Sequence, residues 1–333
     1  MTCLILTADS AAAGNLKGTG RADIVIPFEP RFVWGPLPSD AELAAMLAAR
    51  ATQKPGSHWL DHASRPLIRK LGEQNLGLGL IELCQRYDAV ELCIDPEPNA
   101  QLILIRLLDY FRSHGELASR LTLFQADVAI GNHSPEELSE WRLPAVKILH
   151  DHLEVASMAW QAYRQPTPQG WFKLLGKDLS LLPQLRPTVL DLLEELPMVA
   201  TGLGATEMRL LELISPGNVH PLDVFPGDRK PNQRRVFDFP EVRTLLDGLA
   251  HCPAPAVSGL DEGPFTLEMY YDRLRRERYM NSELKLTKFG EAVLAGTDDF
   301  SRHNPIDRWW GGTELTNDRL WRWDPANRAL IAP

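Results

Sequence analysis

Residues 89–125, AVELCIDPEPNAQLILIRLLDYFRSHGELASRLTLFQ, decide how the chain is read. Ala89–Ile94 and Leu121–Gln125 are short apolar runs of the length of buried strands. Between them, 99–115 is too long and too apolar for a strand and reads as a helix, with Asn99 as its N-cap and Gly115 as its stop. Strand, helix, strand is the unit of a parallel sheet. Working outward, Cys3–Thr7 and Ile24–Phe28 add two strand candidates, with a short helix ending near Gly18 between them. Residues 1–145 therefore predict an α/β domain with a Rossmann-like, mostly parallel sheet covered on both faces.

The pattern then changes. Residues 146–197 read as a helical connector, punctuated by Pro166, Pro168, Pro183 and Pro197. Residues 198–333 read as a winged-helix-like α+β module with a Trp-rich final segment. Its helices are GATEMRLLELI (204–214, with Thr206 near the start), FPEVRTLLDGLAHC (239–252) and LTKFGEAVLAG (286–296). PFTLEMYY (264–271) and SELKL (282–286) are expected to form the hairpin.

Lys and Arg number 35 against 44 Asp and Glu, a net charge of −9, which disfavours coating of nucleic acid. Cys3, Cys84, Cys93 and Cys252 have no paired spacing, which fits reduced thiols better than a disulfide framework. MTCLILTADSAAAG lacks the basic start and long apolar run of a secretion signal. No segment reaches the length of a membrane span. A cytoplasmic location is the expectation.

Several motifs together resemble the bacterial DUF1835 family: DSAAAGNL (9–16), VWGPLP (33–38), PNAQLILIRLLDYF (98–111), AWQAYRQPTP (159–168), LPQLRPTVLDLLEELP (182–197), TGLGATEMRLLELI (201–214), LTKFGEAVLAG and IDRWWGGTEL (306–315). The opening departs from the family's Gly-Asp-Ser-Ala-Ala-Gly, with Ala8 in place of the first glycine and an extra alanine before Gly14. The resemblance implies an α/β N-terminus and a separate C-terminal module, and it supplies no activity.

Candidate sites follow from the topology. Asp9, Ser10, Gly14 and Asn15 would lie where the first strand enters a helix, a place where backbone N–H groups attract anions. Against this, Asp9 or Ser10 would simply cap the helix. Arg31 and Trp34 follow the second strand; Asp95, Asn99 and Gln101 follow the third. All would converge on the carboxyl rim of a parallel sheet. There Arg31 would hold a phosphate or carboxylate, Trp34 would stack on a ring, and Asn99 or Gln101 would read polar edges. The bland reading gives Asn99 to its helix cap and Trp34 to the core.

Metal ligands are suggested by His58, Asp61 and His62 in HWLDH and by His150, Asp151, His152 and Glu154 in HDHLE, but neither is a His-Glu-x-x-His motif, and no metal is assigned. No catalytic nucleophile or acid–base pair is assigned; Asp95 and Asp109 do not make one. Arg234, Arg235, Arg275, Arg276 and Arg278 form locally basic stretches that would contact phosphates beside a recognition helix. That helix carries Glu241 and Asp247 against Arg243. Trp309, Trp310, Trp321 and Trp323 with Arg308 and Arg322 read as packing, with an aromatic–guanidinium ligand site as the other possibility. The reading is a protein that binds a small anionic or nucleotide-like ligand at the N-terminal rim and couples it to a partner. The alternatives are an enzyme on that ligand, with or without a metal, and a nucleic-acid-binding regulator.

Overall fold

A computed structural model describes residues 1–50, 58–61, 63–217, 219–224 and 234–333. Contacts divide the chain into two compact units. The first comprises Met1–Phe32, Leu37–Arg164 and Leu174–Thr188; the second comprises Val33–Pro36, Gln165–Lys173 and Val189–Pro333. The segment expected as a connector, 146–197, is shared between them.

In the first unit the elements run β1 (Cys3–Thr7), α1 (Ser10–Gly18), β2 (Ile24–Pro27), α2 (Asp40–Leu47), α3 (Arg65–Leu71), α4 (Leu80–Cys84), β3 (Ala89–Ile94), α5 (Pro98–Phe111), α6 (Gly115–Ala118), β4 (Leu121–Gln125), α7 (Pro135–Glu140), β5 (Val146–Lys147) and α8 (His150–Tyr163). The sheet order is β2-β1-β3-β4-β5. β1 to β4 are parallel and β5 is antiparallel to β4. Pro27 ends the edge strand, the place in a sheet where a missing N–H is tolerated.

Alternation along the strands builds two apolar faces. Ile5, Val25, Cys93 and Phe124 meet Ala12, Ala13 and Leu16 of α1 and Leu138 of α7. α5 packs against β3 on the opposite side and lies along α8. That position explains why α5 is buried almost all round, Leu102 to Leu108 included. Trp160 of α8 is fully buried, with Phe32 at 5.0 Å and the Arg106 guanidinium 5.9 Å above its ring.

Two helix limits differ from the sequence reading. α5 starts at Pro98 behind Glu97, so Asn99 lies inside the first turn and does not cap it. Pro98 takes the first helical position, where its missing N–H is harmless. The helix also ends at Phe111, and Gly115 begins α6 instead of serving as the stop.

The second unit carries α9 (Gln169–Lys173), the last turns of α10 (Leu185–Glu194), α11 (Ala205–Ile214), α12 (Phe239–Ala250), β6 (Val257–Ser258), α13 (Leu267–Tyr271), α14 (Arg273–Met280), β7 (Lys285–Leu286), α15 (Lys288–Leu294) and α16 (Phe300–His303). Two hairpins close it: β8 (Asp307–Trp310) with β9 (Thr313–Thr316), and β10 (Arg322–Asp324) with β11 (Ala329–Ile331). Gly311, at φ 54°, makes the tight turn between β8 and β9.

The expected hairpin over 264–271 is not there. Thr266 caps Met269 N and Asp272 caps Arg275 N, and these two caps turn the stretch into α13 and α14. β7 pairs with β6 instead, and Leu284 bridges to Val219. α11 starts behind Gly204, so Thr206 sits one position inside it. Thr287 caps α15, accepting Gly290 N at 3.0 Å and donating to Pro255 O at 2.7 Å. Thr287→Ala is expected to lower stability by about 1 kcal/mol. An unchanged thermal melt would show that this cap carries no weight.

Among the described residues, no helix is long and apolar enough to cross a membrane.

Candidate functional site

The strand order reverses between β1 and β3, and open α/β sheets take ligands outside that point. Here the protein fills the crevice itself. The turn Ile130–Asn132 that follows β4 comes across to α1, so that a Cβ on Gly131 would stand 3.0 Å from Ala11 Cβ and 3.2 Å from Asp9 Oδ1. Asn15 Nδ2 donates to Gly131 O at 3.0 Å.

The residues after β3 fasten this rim. Asp95, 5% exposed, accepts Ile130 N–H at 2.6 Å and so ties down the turn after β4. Asn99, also 5% exposed, accepts Phe32 N–H at 2.9 Å and donates to Pro30 O at 3.0 Å, which ties down the segment after β2. Gln101 donates to Asp95 O at 2.6 Å and accepts from Gln125 at 2.8 Å. The polar edges expected to read a ligand are spent on neighbouring loops. Burial, followed by the nearby Glu97 carboxylate, pushes the Asp95 carboxyl up to about 7.

The start of α1 is equally committed. Asp9 caps Ala12 N at 2.7 Å, the bland alternative for that residue. Ser10 gives its N–H (2.7 Å) and its hydroxyl (2.8 Å) to the two oxygens of Glu29. An incoming phosphate would meet carboxylates where free amides were expected. Gly14 lies within α1, and a Cβ there would meet nothing within 4 Å, so no close backbone approach depends on it. Arg31 lies in the segment after β2, half-buried. Trp34 groups with the second unit, where its ring stands edge-on to Phe237 at 5.5 Å.

Open space in the first unit lies beside β2. A cavity of about 540 Å³ is walled by Ile26 and Phe28 from the end of that strand, Met46 of α2, and Trp59 and Leu60, with Glu29, Glu42 and His58 contributing polar groups. Sequence reading missed this set apart from His58. Glu42 accepts Ser39 N and Oγ in a capping box, and those bonds hold its carboxyl below the usual range. His58 is fully buried, and desolvation lowers its pKa, reinforced by Arg50. Its Nδ1 accepts Leu60 N–H at 3.3 Å and its Nε2 faces Leu78 O at 3.2 Å, so the ring is neutral with the proton on Nε2. His58 and Asp61 lie in a turn, with Asp61 accepting His58 N–H at 2.9 Å; His62 falls outside the described residues.

In HDHLE, His150 is exposed near Glu154, while His152 is buried and accepts Leu149 N–H. Among the described residues, no three His, Cys, Asp or Glu side chains are grouped to hold a metal ion.

In the second unit Arg234, Arg275 and Arg278 of the basic candidates form ion pairs with acids. Arg234 meets Asp191 at 2.7 Å; Arg275 and Arg278 share Glu262. Arg235 is exposed, and Arg276 lies on α14 with Arg275 and Arg278. Glu241 and Asp247 of α12 are buried, so the acids thought to oppose DNA face inward. Trp310 and Trp323 are buried and Trp321 is half-buried, as packing requires, but Trp309 is 38% exposed. No protein-family model matches the chain and no curated protein matches it, so the reading of these sites rests on their geometry.

Proposed function

We propose that the N-terminal unit binds a nucleoside-like ligand in the cavity at the carboxyl end of β2. The observation that carries this is Glu29. It stands two residues beyond the second strand of a parallel sheet and about twenty residues beyond the first loop, the position from which an acidic side chain holds ribose hydroxyls in dinucleotide-binding folds. It also lines a cavity large enough for a nucleoside. Each carboxylate oxygen offers two acceptor sites, and Ser10 uses one on each. A vicinal diol would take the others, with the base against Phe28 and Trp59. The anionic part of the expected ligand fits less well, because Glu29 and Asp9 already occupy the Ser10 and Ala12 amides at the start of α1.

Calorimetric titration of the full chain with adenosine, 2′,3′-dideoxyadenosine and AMP tests this. Adenosine is expected to bind, the dideoxy compound roughly 10- to 100-fold more weakly, and Glu29→Gln to weaken adenosine by a similar factor. AMP binding more tightly than adenosine, or no loss in the variant, would overturn the reading.

The proposal keeps the likeness to the DUF1835 family and a cytoplasmic setting, which four unpaired cysteines suit. We read the second unit as the partner-facing module, winged-helix-like in its α11, α12, β6 and β7 order, with α13 and α14 in place of a wing. The pairing of Arg234, Arg275 and Arg278 with acids favours a protein partner over nucleic acid.

A further inference from the structure

We propose that an aromatic cavity within the C-terminal unit binds a small zwitterion that carries a methylated ammonium at one end and a carboxylate at the other, as a betaine does. The cavity holds about 210 Å³ and is lined by Trp34, Phe237, Trp309 and Trp310 with Glu195 and Arg308. That volume is below the roughly 300 Å³ at which pockets for drug-sized ligands begin, so it suits a few heavy atoms.

The rings address the cation. Trp34 and Phe237 stand at 87° to each other with centroids 5.5 Å apart, which forms a corner. Trp310 is fixed by its indole N–H, which donates to Leu192 O at 2.6 Å. Aromatic faces attract a cation through the ring quadrupole, and a methylated ammonium suits them because it is weakly hydrated and needs no hydrogen-bond acceptor. Glu195 points to the same kind of ion. It is 8% exposed, and its two carboxylate oxygens already accept the Thr206 N–H and hydroxyl. The carboxyl is thereby held in place beside the rings, where a bound cation would favour its ionised form.

Arg308 addresses the other end. Its Nη1 donates to Glu207 at 2.8 Å, whereas its Nη2 is buried with no acceptor among the described residues. A buried donor without an acceptor is unfavourable, and a ligand carboxylate would relieve it. The carboxylates of Glu195 and Asp307, a guanidinium and rings in one small space match a ligand with a cationic and an anionic end better than a simple anion.

The test is calorimetry on the full chain with glycine betaine, choline and glycine. Betaine is expected to saturate the site, and choline, which lacks the carboxylate, and glycine, which lacks the methyl groups, to bind at least tenfold more weakly. Trp309 is exposed, so Trp309→Ala is expected to fold normally and lose roughly tenfold in betaine affinity, with Trp309→Phe restoring most of it. Glu29→Gln is expected to leave betaine binding unchanged, which separates this site from the nucleoside cavity. No saturation by betaine at roughly 10 mM, glycine equal to betaine, or Trp309→Ala equal to the parent would each overturn the proposal.

Discussion

Asp95→Asn is expected to stabilise the chain at alkaline pH by about 4 kcal/mol while changing little in acid. The buried carboxyl at the end of β3 is raised from 3.8 to about 7, with desolvation as the main cause. A folded state that holds its proton more tightly than the unfolded chain gains stability from it below about pH 4. That gain disappears as pH rises from about 4 to about 7, because the unfolded carboxyl ionises freely and the folded one resists. Asparagine is the shape of the neutral acid: its carbonyl oxygen would still accept Ile130 N–H, and it never ionises. Glu195, raised to about 7, and Asp191, raised to about 6, tilt the wild-type stability in the same direction. The difference between variant and parent isolates Asp95. Urea unfolding at about pH 5 and about pH 8 reads it directly. An equal loss of stability at both values would show that Asp95 is held ionised and that its charge is part of the latch.

What could be read from sequence followed local pattern. Ala89–Ile94 and Leu121–Gln125 fall where their apolar runs placed them, because a strand between two helical layers is mostly apolar. Asn99 was misread for an instructive reason: an asparagine ahead of an apolar helix resembles a cap, and nothing local shows that it reaches back to Pro30 and Phe32. At 264–271, Phe and Tyr favour a strand by propensity, and the caps at Thr266 and Asp272 override it. The candidate sites were less legible still. Glu29 carried a signal in its spacing from the first loop, but Met46 and Trp59 reach the cavity only through tertiary packing. Trp34 and Phe237 lie about two hundred residues apart, and no periodicity joins them.

Asn99→Ala is the substitution expected to damage the N-terminal site most. It removes an acceptor from the buried Phe32 N–H and a donor from Pro30 O, and leaves a small void beside α5. Each buried group left without a partner costs about 1–3 kcal/mol, so a total loss of about 3 kcal/mol is expected. The consequence is also local. Phe28, Glu29 and Pro30 form one wall of the cavity, and Asn99 holds the far end of that wall, with Tyr163 donating to Phe32 O beside it. Hydrogen exchange at the Glu29, Arg31 and Phe32 amides should therefore rise well beyond the global change in stability. Nucleoside binding should fall with it even where the chain remains folded. Asn99→Asp keeps an acceptor for Phe32 but gives Pro30 no donor unless it is protonated, so it should recover part of the stability in acid and little at neutral pH. If exchange at 29–32 stays at the parent level in both variants, the wall is held by other contacts and Asn99 is only a packing residue.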